Sequence, residues 1–338
     1  MYRRNEDGRL AILMTYVDDT LFTGNDDNEI QRMYKHLLNK YEGRDLRVPD
    51  KLLGVRITVG EGNITLDQRS YAEDIVIEGV GSTDVRRSNM PLDPGMDLSA
   101  REEFEEELNT SRFPYATILG KLMFLAGMMR PDISNSVREL GRRAASPCLR
   151  HWRGLQHVLR YVAATLDVCL RYGKGVDNDS QQALMGYSDS DLGNDPELRR
   201  SVTGYLLLFN KSPIVWGSKL QGSIALSSSE VEWTGMVQGM RHCLYIRGIL
   251  GEMGLPQGAT PWFCENRGAI QAASITGFNG RTRHVDMKLK CSREYIEQQL
   301  FDLQYVPTTK QLADVFTKRL RAPSQTEFVG SVLARRRV

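Results

Sequence analysis

Long apolar runs, paired cysteines and net charge are what this sequence lacks. No apolar stretch in its 338 residues approaches the roughly 18–20 that a membrane helix needs, and the first residues do not follow the charged, apolar, small-residue order of a signal peptide, so no membrane partner is expected. The five cysteines (Cys148, Cys169, Cys243, Cys264 and Cys291) are odd in number, far apart and never spaced CxxC. A disulfide framework and a zinc site are therefore not expected, and the usage fits a reducing, intracellular setting. Lys and Arg total 44 against 42 Asp and Glu, so the charge sum alone gives no case for a nucleic-acid partner. Internal repeats and low-complexity tracts are absent too.

A chain of this length, 41% hydrophobic, exceeds what one core usually supports, and more than one domain is expected. The basic residues are unevenly placed. They gather in Arg138, Arg142, Arg143, Arg150, Arg153 and Arg160, again between 281 and 293, then at Lys318, Arg319 and Arg321, and in a final Arg335-Arg336-Arg337. Read locally, these are solvated helix faces.

Residues 10–23 read as strand, turn and strand, and 28–41 as a helix whose Ile30, Met33, Tyr34, Leu37 and Leu38 make one apolar stripe. A second hairpin is expected around Gly60-Glu61-Gly62. Residues 81–109 are acidic, hold two prolines and lack periodicity, which predicts a linker. From 115 to 170 the pattern is helical, broken at Pro131 and Pro147. Three strands then follow between 183 and 218, a long helix over 230–253, and alternating helix and strand to 306, with a last helix opening near Gln311. This order predicts a mixed sheet with helices packed on it, in an overall α/β (α+β mixed) chain.

The hairpin carries Tyr16-Val17-Asp18-Asp19 at its turn. Adjacent carboxylates repel each other, and a divalent cation turns that repulsion into a binding site. Without such a cation the pair is an ordinary acidic turn. Further along, Asp189 and Asp191 stand two apart on a strand and so share a face, and either is a candidate ligand. Glu232 opens the long helix, where Ser229-Glu230-Val231-Glu232 also matches a capping box that would use it only to close the helix end. Asp314 has a local reading too, as a first-turn acid facing a helix dipole.

Tyr16-Val17-Asp18-Asp19, Leu52-Leu53-Gly54-Val55, Leu66-Asp67-Gln68, Phe113-Pro114-Tyr115, Arg130-Pro131-Asp132-Ile133, His151-Trp152 and Leu159-Arg160-Tyr161, in this order, resemble the second half of a copia-type retrotransposon reverse transcriptase. Gly186 to Asp191, Arg199 to Tyr205, Ala225 to Glu232, His284-Val285-Asp286 and Tyr305 to Asp314 resemble the ribonuclease H domain that follows it in such Pol polyproteins. The resemblance implies the end of a polymerase palm over 1–80, a linker and helical thumb or connection over 81–178, a ribonuclease H-like domain over 179–322 and a basic tail over 323–338. It also implies cytoplasmic virus-like particles or the nucleus as the setting.

By the same resemblance Asp18 and Asp19 are polymerase metal ligands, whose third aspartate belongs to a strand well upstream. With 15 residues before Tyr16 the centre is expected to be incomplete, and no DNA synthesis is expected from this chain without upstream Pol segments as partners. The nuclease acids fall on Asp189, Glu232, Glu265 and Asp314, holding two Mg²⁺, with Asp191 as the alternative first acid. The third departs from the family: Cys264-Glu265-Asn266 stands where the pattern has an aspartate, and one added methylene moves a carboxylate by roughly an ångström, which can cost about a hundredfold in rate. The implied substrate is the RNA strand of an RNA–DNA hybrid, with Arg138, Arg142, Arg143, Arg150, Arg153 and Arg160 along its backbone. His284 and Asp286 belong to a motif of that family whose role the residues do not reveal; the histidine is expected to be structural or phosphate-contacting, since Mg²⁺ sites prefer oxygen. The competing expectation is a catalytically inactive transposon remnant that at most binds nucleic acid.

Overall fold

The computed structural model describes residues 2–6, 9–173, 183–193, 197–225, 227–274 and 283–336, without the side chains of 2–6 and 283–288. Strands β1 (Tyr2–Glu6), β2 (Arg9–Tyr16) and β3 (Asp19–Gly24) form an antiparallel sheet in chain order. Helix α1 (Asp27–Lys40) follows, its N-terminus capped by Asp26, whose side chain accepts from the Glu29 N–H at 3.1 Å. This layer is thin: Ala11 and Ile12 are buried, but no residue of α1 is.

Strands β4 (Lys51–Leu52), β5 (Val55–Gly60) and β6 (Asn63–Asp67) start a second antiparallel sheet, and helices α2 (Arg69–Val80), α3 (Tyr115–Met128), α4 (Ser134–Gly141) and α5 (Leu149–Ala164) build the layer beside it. Their core is aliphatic and aromatic, centred on Ile75, Tyr115, Ile118, Leu122, Leu140 and Leu155. The segment expected as a linker has no regular structure, yet Leu92, Leu98 and Leu108 are buried in that same core. It is a strap packed on the helices, held by three leucines that a scan for periodicity passes over.

Arg130-Pro131-Asp132-Ile133 has a structural role. Arg130 forks onto both Asp132 oxygens at 2.8 Å, Tyr161 donates to Asp132 Oδ2 at 2.7 Å, and the whole group is buried. A paired, fully hydrogen-bonded charge tolerates such burial where a lone one would not. His151 is spent likewise, its Nδ1 accepting from the Cys148 N–H at 3.0 Å and its Nε2 facing the Ser99 carbonyl at 2.7 Å.

After β7 (Val168–Gly173) comes a second mixed layer: β8 (Leu184–Asp191), β9 (Val202–Phe209), β10 (Ser212–Leu220), α6 (Ser228–Glu252), β11 (Thr260–Cys264), α7 (Arg267–Ser274), α8 (Arg283–Glu297) and β12 (Phe301–Tyr305). The sheet runs β10-β9-β8-β11-β12, antiparallel among the first three strands and parallel from β8 through β11 to β12. Counted within this layer the strand order is 3-2-1-4-5. Helix α6 lies close on β8 and β9 because Gly235 and Gly239 face them; a Cβ on Gly239 would sit 2.7 Å from the Trp262 ring.

Two expectations give way at the C-terminus. In place of a helix from Gln311 there are short 3₁₀ turns over Thr308–Lys310 and Leu312–Phe316. The expected basic tail is, through residue 336, an ordered element: helix α9 (Ala322–Val332) and strand β13 (Ala334–Arg335), which pairs antiparallel with β7. The second sheet therefore reads β13-β7-β6-β5-β4. Phe328, Val329 and Val332 supply the reason, packing with Leu206 and Leu208 of β9, Val168 and Leu170 of β7, and Phe316 in one buried cluster. The arginines after them pair with Asp167 and Asp67. An apolar core thus crosses the boundaries expected at 178 and 322.

Candidate active site

Four of the predicted acids meet where the parallel pair β8 and β11 ends. Asp189 lies near the C-terminal end of β8 and is 1% exposed. Glu265 directly follows β11, and Asp314 sits in the turn Leu312–Phe316. Ligand oxygens of Asp189, Glu265 and Asp314 all lie within 4.8 Å of one another. The longer Glu265 arm therefore still reaches the cluster.

Glu232 is buried beside them. Helix α6 is capped by Ser227, whose hydroxyl accepts from the Glu230 N–H at 3.2 Å, so the capping residues lie two positions earlier than the sequence suggested. That leaves Glu232 unused by the helix end and turned toward the sheet, where the Cys264 thiol donates to its Oε2 at 3.9 Å. Burial, then the neighbouring Asp189 and Glu265, push its carboxyl up to about 9. Burial and Asp189 push Asp314 up to about 7, against the pull of Lys318. Asp191, the alternative first acid, is not among the three clustered acids; it lines the cleft beside them, and burial raises its carboxyl.

Two residues that sequence reasoning missed complete the centre. Thr317 donates its hydroxyl to Asp189 Oδ2. Lys318 Nζ stands 3.0 Å from Asp314 Oδ1, 3.4 Å from Asp189 Oδ2 and 3.7 Å from Glu265 Oε1. Burial works against its charge, but the three carboxylates outweigh it and hold the ammonium protonated. The available signal was the Asp314 to Lys318 spacing of one helical turn.

The donor set suits a hard divalent ion. It consists of carboxylate oxygens, and Glu265 Oε2 is buried with no hydrogen-bond partner, a lone pair left for a ligand.

Asp18 and Asp19 are both exposed, and among the described residues no third metal-ligating side chain joins them. Val17 beside them has φ 51°, a left-handed conformation that a β-branched residue adopts only under strain. Of the six arginines expected on a nucleic acid, four are engaged within the chain. Arg142 and Arg143 pair with Glu197, Arg143 also donates to the Leu98 carbonyl, Arg138 donates to Ser218, and Arg150 pairs with Asp97 and Glu105. The acidic strap and the loop after β8 supply most of these partners, which the spacing of arginines alone could not reveal. Arg153 remains exposed and Arg160 half-buried. His284 and Asp286 lie in α8, with side chains outside the described residues.

Next to the acids opens a cleft of about 620 Å³, walled by the strap at 94–99, by Arg138, Glu139, Arg142 and Arg143, and by Asp191, Lys318 and Arg319.

No protein-family model matches the chain. It is 30% identical over 94% of its length to a retrovirus-related Pol polyprotein from transposon TNT 1-94 of Nicotiana tabacum, covering 24% of that protein. To the Pol polyprotein of transposon RE1 of Arabidopsis thaliana it is 27% identical over 96% of its length and 22% of the relative's. A putative transposon Ty5-1 protein of Saccharomyces cerevisiae is 32% identical over 69% of this chain and 73% of its own length. The chain thus spans about a quarter of the plant relatives. Among solved structures, the foamy viral protease-reverse transcriptase in complex with RNA/DNA hybrid matches 91% of this chain and 37% of its own (13% identity, TM-score 0.48). The N-terminal RNase H domain of a Mycobacterium tuberculosis protein matches 44% of this chain and 96% of its own (12% identity, TM-score 0.30). With the plant relatives extending across almost its whole length, the chain belongs to the copia-type retrotransposon Pol polyproteins.

Proposed function

We propose that this chain hydrolyses the RNA strand of RNA–DNA hybrids in a Mg²⁺-dependent, ribonuclease H-type reaction. The observation that carries this reading is the convergence of Asp189, Glu265 and Asp314 within 4.8 Å at the end of β8 and β11 in a 3-2-1-4-5 sheet. Asp189, Glu232, Glu265 and Asp314 would hold two Mg²⁺, which when bound supply an activated water and stabilisation of the leaving 3′-oxygen.

The chain's own residues do the positioning. Thr317 fixes one Asp189 oxygen and leaves the other for a ligand, and the Cys264 thiol orients Glu232. A phosphate backbone in the cleft would meet Arg138, Arg142, Arg143 and Arg319 only in competition with their partners within the chain, and a hybrid is told from duplex DNA by its 2′-hydroxyls and its groove shape. DNA synthesis is not proposed for the described residues, since Asp18 and Asp19 lack a third ligand among them.

One observation favours a second reading. The Lys318 ammonium already contacts all three clustered acids, as it would in a catalytically silent chain. Metal-dependent cleavage of a labelled hybrid separates the two.

A further inference from the structure

Lys318 contributes the one positive charge that Asp189, Glu265 and Asp314 share among the described ion pairs, and its side chain is about one-third exposed. It leaves the backbone one turn after Asp314, so its stem is anchored beside the acids while its head can move. The same side chain lines the cleft with Arg138, Arg142 and Arg319. A single ammonium cannot balance three carboxylates, and Glu265 Oε2 stays buried without a partner even with Lys318 in place.

We infer that Lys318 is a built-in counter-cation: it holds the three carboxylates together in the metal-free chain and must swing into the cleft before a divalent ion enters. It is a positioning residue that acts through the acids, and it keeps metal affinity lower than the acids alone would give. The metal-free site is thereby kept assembled, and loading requires the lysine to move toward the cleft where a phosphate would lie. The inference rests on the reading of these acids as a metal site.

The test is direct titration of the metal-free full-length chain with Mn²⁺, read by calorimetry or electron paramagnetic resonance, alongside Lys318→Met, Lys318→Gln, Lys318→Arg and Asp189→Asn. Removing one competing charge at this range should tighten Mn²⁺ binding by about tenfold or more in the Met and Gln variants. The Arg variant should stay close to wild type, and Asp189→Asn should bind far more weakly. Without metal the two neutral variants should melt lower than wild type, and saturating Mn²⁺ should erase that difference. Equal or weaker binding by both neutral variants overturns the inference, as does absence of binding in every protein. Since the readout is metal binding, a chain that behaves as expected here yet cleaves no hybrid supports the counter-cation and counts against the nuclease reading alone.

Discussion

The side-chain amide of Gln311 donates to the backbone carbonyl of Ser188, 123 positions away, at 3.0 Å. Gln311 Oε1 also accepts from the Ala313 N–H at 3.1 Å, so one side chain caps the turn that carries Asp314 and ties it to the strand that carries Asp189. From the other side Trp262 Nε1 donates to Ser188 Oγ at 2.9 Å and fixes β11, with Glu265 at its end, to the same point. Three acids from distant segments are placed together by bonds to one serine and its neighbours.

Gln311→Leu should therefore separate Asp314 from Asp189 without touching either. The buried Ser188 carbonyl loses its side-chain donor, costing about 1–3 kcal/mol in a denaturant titration. Hybrid cleavage should fall by about tenfold to a hundredfold, since misplacement of an ångström is enough. Unchanged cleavage in a destabilised variant would mean that this bond does not position the acid.

The four acids were picked out by the family resemblance, and local pattern supplied the strand and helix on which two of them stand. The alternation at Asp189 and the motif at Glu232 placed both acids on the right elements. What stayed hidden depends on contacts across long separations. Lys318 looks like any basic residue until the turn folds it against β8, and the strap around Leu98 looks like a linker until it is packed. Phe328, Val329, Val332 and Leu333 carry a helical spacing, but the following run of arginines drew the segment toward a solvated tail. The helix start at Ser227 was missed by two residues, enough to assign Glu232 the wrong competing role.

Phe328 meets Phe316 edge-on, with ring centroids 6.0 Å apart, in the cluster that joins β7, β9 and α9. Phe328→Ala should cost about 3–5 kcal/mol. A fragment cut to 179–322 should expose Leu206, Leu208 and Phe316 and associate rather than fold, as sedimentation and circular dichroism would show. A monomeric, cooperatively melting fragment would contradict the shared core.

Asp132→Ala should be among the most damaging single changes outside the acid cluster. It leaves the Arg130 guanidinium buried with no opposite charge, for which a loss of about 3–5 kcal/mol is expected. Replacing Arg130 and Asp132 together by apolar residues should cost less than the single change, and a double-mutant cycle in urea checks this.

Metal affinity and pH should be coupled. In the metal-free fold burial, Asp189 and Glu265 push the Glu232 carboxyl from its ordinary 4.5 up to about 9, so between those values the native state holds a proton that the unfolded chain has shed. That contribution to stability is present at low pH and lost as pH rises through the folded value. The melting temperature of the metal-free chain should thus fall between about pH 6 and about pH 9. Mg²⁺ binds the deprotonated acids, so its stabilising effect should grow across that range. An equal Mg²⁺ shift at both ends would remove Glu232 from the metal site.

The most direct measurement is cleavage of a labelled RNA–DNA hybrid by the full-length chain, with and without Mg²⁺, beside Asp189→Asn. The account predicts Mg²⁺-dependent cuts in the RNA strand, abolished by the substitution, with duplex DNA left intact. A folded wild-type chain that leaves the hybrid whole, or an Asp189→Asn variant that cuts it equally well, would contradict it.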